Sequence, residues 1–196
     1  MFAHGAGAGM NHPFMVRASE ALSARGFATH RYEFPYMQAK KSRPDPPAVA
    51  EAAVRQAVAE AARTYPGWPI LAGGKSFGGR MTSQAQASQP MPGVGGLVFF
   101  GFPLHPPGRP GTTRAEHLTS VDIPMLFLQG TRDEFAQLDL LQQVVKGLDT
   151  RATLHLVEEG DHSFKVPKRT GKTEADVMNE LADTIQRWGR QCRIIG

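Results

Sequence analysis

The chain has 196 residues, 41% of them hydrophobic and 20% charged, with a formal net charge of +4. This is ordinary for one soluble globular domain, residues 1–196, that buries about 70% of its unfolded surface. The single cysteine, Cys192, excludes an internal disulfide and a cysteine-based metal cluster, and no run of about 18 apolar residues offers a membrane span. The basic residues are scattered apart from Lys40-Lys41-Ser42-Arg43 and Lys165–Lys172. Neither cluster interleaves aromatics as a single-strand binder would, so both read as solvated surface and no nucleic-acid partner is expected. The first residues show no basic segment followed by an apolar one, which argues against a signal peptide, and a reducing cytoplasm is the expected location.

The chain opens on Met1-Phe2-Ala3, too short for an ordinary strand, and then on the glycine-rich stretch His4-Gly5-Ala6-Gly7-Ala8-Gly9. The first strand is therefore expected to be a stub or to start in residues upstream of Met1. Phe14, Ala18, Ala21 and Leu22 share one face of a helix over Pro13–Arg25, with Pro13 in its first turn and Gly26 at its end. Ala28–Phe34 alternates as a strand. Pro35–Pro47, with four prolines, reads as an irregular loop, and the alanine-rich Ala48–Thr64 as a helix. Pro69–Ala72 is a buried strand, and Arg80–Ala87 a helix. Further strands are expected at Gly96–Phe100, Pro124–Gln129 and Thr153–Val157, and helices at Leu138–Lys146 and Glu174–Trp188. Gly101–Leu118 reads as a Pro/Gly-rich loop. Alternating strands and helices imply an α/β fold with a mostly parallel six-stranded sheet covered on both faces, in the order 2-1-3-4-5-6. Ligands bind where such a chain reverses its winding, above the C-terminal strand ends. His4–Gly9 and Gly74–Gly78 meet there.

The stretch Gly74-Lys75-Ser76-Phe77-Gly78 is a G-x-S-x-G pattern set between a strand and a helix, the context of a nucleophile elbow. A phosphate-binding loop would need glycine where Pro69 stands, so that reading fails on spacing. A serine hydroxyl is weakly nucleophilic until a base takes its proton. Of seven histidines, His162 is best placed, in the loop after the last strand. His30 and His155 fall in strands, His105 and His117 in the Pro/Gly-rich loop, and His12 before the first helix. Asp133, after the strand Pro124–Gln129, can orient the imidazole. Glu134 reads instead as a residue of a first helical turn, and Asp161 adjoins His162 too closely. The N–H of Phe77 supplies one oxyanion donor, and that of Ala6 the second. Met10, Phe102 and Leu104 are candidates for an apolar substrate groove.

Four stretches carry a resemblance: His4–Met10, Gly73–Arg80, Gln129–Asp133 and Gly160–Phe164. In this order they resemble a small α/β-hydrolase of the dienelactone-hydrolase-like group that includes the KANL3/Tex30-type hydrolase domain, and Ser76, Asp133, His162 is the chain order of that superfamily's triad. The resemblance implies a minimal α/β-hydrolase fold and cofactor-free hydrolysis of esters or related acyl compounds, with a small-molecule acyl substrate. Thioesterase, amidase or acyltransferase chemistry at the same site, or a scaffold role on the same fold, are the alternatives. Two departures stand out. The cap position holds only the Gly101–Asp122 loop, so no cap domain is expected, and the additional N-terminal strands of larger members are missing. Dienelactone hydrolases proper use cysteine where this chain has Ser76.

Overall fold

The computed structural model describes residues 1–196. In chain order the elements are β1 (Phe2–Ala3), α1 (Pro13–Ser23), β2 (Arg31–Tyr32), α2 (Pro35–Gln38), α3 (Pro47–Thr64), β3 (Ile70–Lys75), α4 (Phe77–Ser88), β4 (Val94–Phe100), a 3-10 helix (Thr113–Ser120), β5 (Met125–Gly130), α5 (Leu138–Gly147), β6 (Ala152–Val157) and α6 (Glu174–Gln191). The strands form one six-stranded sheet in the order β2-β1-β3-β4-β5-β6, with every pairing parallel. This is the expected order, and it sets β1 against both β2 and β3 at the switch of winding.

Apolar runs in the central strands feed two cores. Leu97 and Phe99 of β4, with Met125 and Phe127 of β5, face Val54 of α3 and Met81 of α4. The alternate residues Val98, Phe100, Leu126 and Leu128 face Phe14 of α1 and Leu181, Ile185 and Trp188 of α6. Side chains of a strand alternate between faces, so an unbroken apolar run is what a sheet covered on both sides requires. The helix starts are local chemistry. Pro13 stands in the first turn of α1, where a missing N–H costs nothing, and Thr173 and Asp176 cap α6 reciprocally.

Two expectations are corrected at the sheet edge and in the loops. The strand expected at Ala28–Phe34 pairs only at Arg31 and Tyr32, because β1 offers it only Phe2 and Ala3. The loop expected over Pro35–Pro47 begins with the short helix α2, whose first residue is the φ-restricted Pro35. Between β4 and β5 the chain carries a loop and the 3-10 helix Thr113–Ser120, and no cap domain stands over the strand ends. No helix is long and apolar enough to cross a membrane.

Candidate active site

Ser76 sits between β3 and α4 with φ 49° and ψ −115°. A non-glycine residue there is strained by about 1–3 kcal/mol, a cost that surrounding structure must hold in place. The neighbouring glycines explain how the turn fits. A Cβ on Gly74 would stand 2.3 Å from the Ala3 carbonyl oxygen, and one on Gly78 2.5 Å from that of His4. The elbow and the loop after β1 are therefore pressed backbone to backbone.

His162 lies in the loop after β6, with its Nε2 2.9 Å from Ser76 Oγ and its Nδ1 2.7 Å from Asp133 Oδ2. The ionised carboxylate only accepts, so Nδ1 carries the proton and the bare Nε2 accepts from the serine hydroxyl. The Phe135 ring lies against the imidazole, centroids 4.3 Å apart. The Asp133 side chain has no exposure. Its Oδ1 accepts from the Phe135 N–H at 2.8 Å, and its Oδ2 from Gln129 Nε2 as well as from His162. A buried carboxylate bound this fully has one orientation.

The other six histidines are engaged elsewhere. His4 Nε2 accepts from the Phe34 N–H, and its Nδ1 donates to the Gly5 carbonyl. Burial holds its pKa below the usual histidine range. His105 Nε2 accepts from the Gln137 N–H, and His12 Nδ1 accepts from that of Phe14. His117 meets Ser83 Oγ at 2.7 Å, His155 meets Glu180 at 2.9 Å, and His30 faces Glu60 at 3.9 Å. Asp161 accepts from the Ser163 and Lys165 N–H groups and shapes the His162 loop. Glu134 lies in a turn ahead of α5, outside the helical first turn expected for it.

Phe77 opens α4, where an N–H has no intrahelical acceptor. Ala6 is exposed on the facing loop, and its N–H makes no backbone hydrogen bond. That loop is held by His4, by the Gly7 N–H donating to Tyr36 Oη at 2.9 Å, and by the Met10 N–H donating to Glu33 at 2.8 Å. Beside Ser76 opens a cavity of about 620 Å³ walled by Ala6, Phe14, Lys75, Phe135, His162 and Phe164.

The three residues expected to line an apolar groove do not line this cavity. Phe102 and Leu104 are each 1% exposed and belong to the core. The Phe102 ring packs on Phe99 and Phe127, and its N–H donates to Gln129 Oε1. Met10 is bound through its backbone to Glu33 and Arg31 and is not among the residues that line the cavity. Sequence reasoning missed Gln129 and Lys75. Both are polar residues in otherwise apolar buried strands, which is the available signal for a functional position.

Structures of known proteins repeat this architecture. An α/β serine hydrolase homologue from Coxiella burnetii matches with TM-score 0.72 and 18% identity over 95% of this chain and 82% of the other. An α/β serine hydrolase without a lid from Xanthomonas campestris matches with TM-score 0.72 and 20% identity over 95% and 81%. Est1E from Butyrivibrio proteoclasticus, solved with ferulic acid bound, matches with TM-score 0.74 and 13% identity over 99% and 88%. At these identities the likeness is one of fold. The sequence profile of the alpha/beta hydrolase domain matches residues 1–190, and the chain belongs to that family.

Proposed function

We propose that this chain is a serine esterase that cleaves a carboxylic ester of a small molecule through an acyl-enzyme. The observation that carries the reading is the continuous chain from Ser76 Oγ to His162 Nε2 at 2.9 Å and from His162 Nδ1 to Asp133 Oδ2 at 2.7 Å. Ser76 Oγ attacks the ester carbonyl carbon as its proton passes to His162 Nε2, and Asp133 holds the imidazolium that forms. The carbonyl oxygen becomes an oxyanion between the N–H groups of Phe77 and Ala6. The C–O bond to the alcohol then breaks, and His162 returns the proton to the leaving oxygen. Water attacks the acyl-enzyme by the same route, with His162 as base, releasing the acid and restoring Ser76.

The test is hydrolysis of short-chain 4-nitrophenyl esters by wild type and Ser76→Ala, with folding checked by circular dichroism. The variant is expected to lose about 10⁴-fold or more in kcat, and only the wild type should gain the mass of a fluorophosphonate label. Equal hydrolysis by both proteins would remove Ser76 from the chemistry. No hydrolysis and no labelling in either would favour a scaffold role for the fold.

A further inference from the structure

Lys75 ends β3, next to Ser76, and its Nζ is buried with no hydrogen-bond partner. An ammonium so placed is held at a cost in stability. From α1 comes the Phe14 ring and from the His162 loop the Phe164 ring, each with its centroid 5.8 Å from Nζ. On another side stands the pair that acts on Ser76. Lys75 Nζ, His162 Nδ1 and Asp133 Oδ2 lie 3.0, 3.3 and 3.4 Å from the point where a Cβ on Gly101 would stand, so the three atoms gather round one small space.

The charged groups facing Nζ are Asp133 from the loop after β5 and Asp161 and His162 from the loop after β6. Burial lowers the Lys75 pKa to about 8, against the pull of the two carboxylates towards the charged form. The ammonium is therefore charged at neutral pH and loses its proton as pH rises through that value. Neither carboxylate accepts a hydrogen bond from it. Asp133 is taken by Gln129, Phe135 and His162, and Asp161 by Ser163 and Lys165. Of the other charged groups that share the cavities beside His162, Arg17 pairs with Glu174 at 3.1 Å, and His12, Arg132, Glu134 and Lys165 are exposed. Water and salt screen exposed charges, whereas a charge in the protein interior acts at low dielectric.

We propose that Lys75 is a positioning residue that acts through His162: its buried charge opposes protonation of the imidazole from solvent, so that the base stays free to accept the Ser76 proton in mildly acidic solution. This rests on the esterase reading above. Asp133 and Lys75 act on the imidazole with opposite signs. The carboxylate favours the imidazolium that forms during attack, and the ammonium disfavours it. The gain is a base that remains available at lower pH, and the loss is a weaker base once it is available. Lys75 itself neither gives nor takes a proton in the reaction.

The experiment follows kcat/KM for 4-nitrophenyl butyrate from pH 4.5 to 9.5 in wild type, Lys75→Met and Lys75→Arg. Lys75→Met is expected to move the acid limb up by about one pH unit and to raise the plateau about threefold. The variant is then about threefold slower than wild type on the acid limb and about threefold faster at pH 7. Lys75→Arg keeps the wild-type limb, because it keeps the charge. Wild type alone should show a second rise, of about threefold, as pH passes through 8 and its ammonium loses a proton. A merely structural role would scale the whole profile, so a Lys75→Met profile that differs from wild type by one factor at every pH overturns the proposal. Should Lys75→Met not fold, the second rise in wild type decides: its presence sustains the proposal, and a plateau flat from pH 7 to 9.5 overturns it. If no ester is cleaved, the His162 Nδ1 proton, read as a far-downfield proton resonance, is followed with pH in wild type and Lys75→Met. A transition about one pH unit higher in the variant sustains the action of Lys75 on His162 while the esterase reading falls, and coincident transitions overturn it.

Discussion

The two ends of the sheet each carry a cavity, and they are built on opposite principles. Below the N-terminal strand ends lies a cavity of about 310 Å³ walled by Leu22, Phe27, Tyr65, Trp68, Ile70 and Leu71. Its charged neighbours are committed elsewhere: Arg25 to Asp183 at 2.6 Å, and Arg190 to the Gly196 carbonyl at 3.2 Å. Above the C-terminal ends, the cavity beside Ser76 is bordered by a strained serine and an oriented histidine, with a buried, unpartnered ammonium close to that histidine. The lower cavity is lined mainly by apolar side chains. The upper one collects polar groups that the fold stabilises only at a cost, and such concentrations of cost mark functional sites. An apolar lining alone would have favoured the lower end.

The contrast breaks most sharply on activity. Asp133→Asn should lower kcat for 4-nitrophenyl esters by about 10³–10⁴-fold, because an amide can hold the wrong imidazole tautomer. Trp68→Ala, at the rim of the lower cavity and 58% exposed, should stay within about twofold of wild type. Comparable losses in both would erase the distinction between the ends. Next in size is Gly78→Ala, whose Cβ would stand 2.5 Å from the His4 carbonyl oxygen. Separating elbow from loop should cost about 3 kcal/mol or more in urea denaturation.

Lys75→Met should stabilise the fold by about 1–3 kcal/mol at pH 7, since it removes a buried ammonium and keeps the apolar stem. The sign with pH follows from a native pKa near 8 against 10.5 unfolded. The unfolded chain binds more protons between these values, so wild-type stability rises from pH 8 to 10.5 and the advantage of the variant shrinks across that window. A constant difference from pH 7 to 11 would show that Lys75 titrates alike in both states. Smallest is His117, whose pKa is lowered to about 4 by burial and then by Arg80. Stability should fall as pH drops from 6.5 towards 4, by on the order of 1 kcal/mol after solvent screening. His117→Gln should flatten that slope in thermal melts.

The sheet order was legible in the sequence because β3, β4 and β5 are short apolar runs closed by glycine, proline or a polar residue. The elbow was legible because glycines at 74 and 78 leave few other uses for a serine between them. The expected partner His162 meets Ser76, and Asp133 meets His162, because each lies in the loop after its own strand. Phe102 and Leu104 could not be placed by sequence. Both are packed in the core, where the Phe102 N–H meets Gln129, a contact 27 residues apart that no local pattern encodes. Lys75 was visible as a charge ending an apolar strand, but its lack of a partner is a property of five converging segments.

The separation of Ser76, Asp133 and His162 along the chain has a kinetic consequence. Ser76 and His162 lie 86 residues apart, and Asp133 and His162 lie 29 apart in the loops after neighbouring strands. Parallel pairings of this kind close only after long loops have been immobilised, so they form late in folding. The elbow can be structurally ready while the base is still unattached. In a refolding time course, reactivity of Ser76 towards a fluorophosphonate would therefore lag behind the recovery of helical signal, and would serve as a clock for the docking of β6.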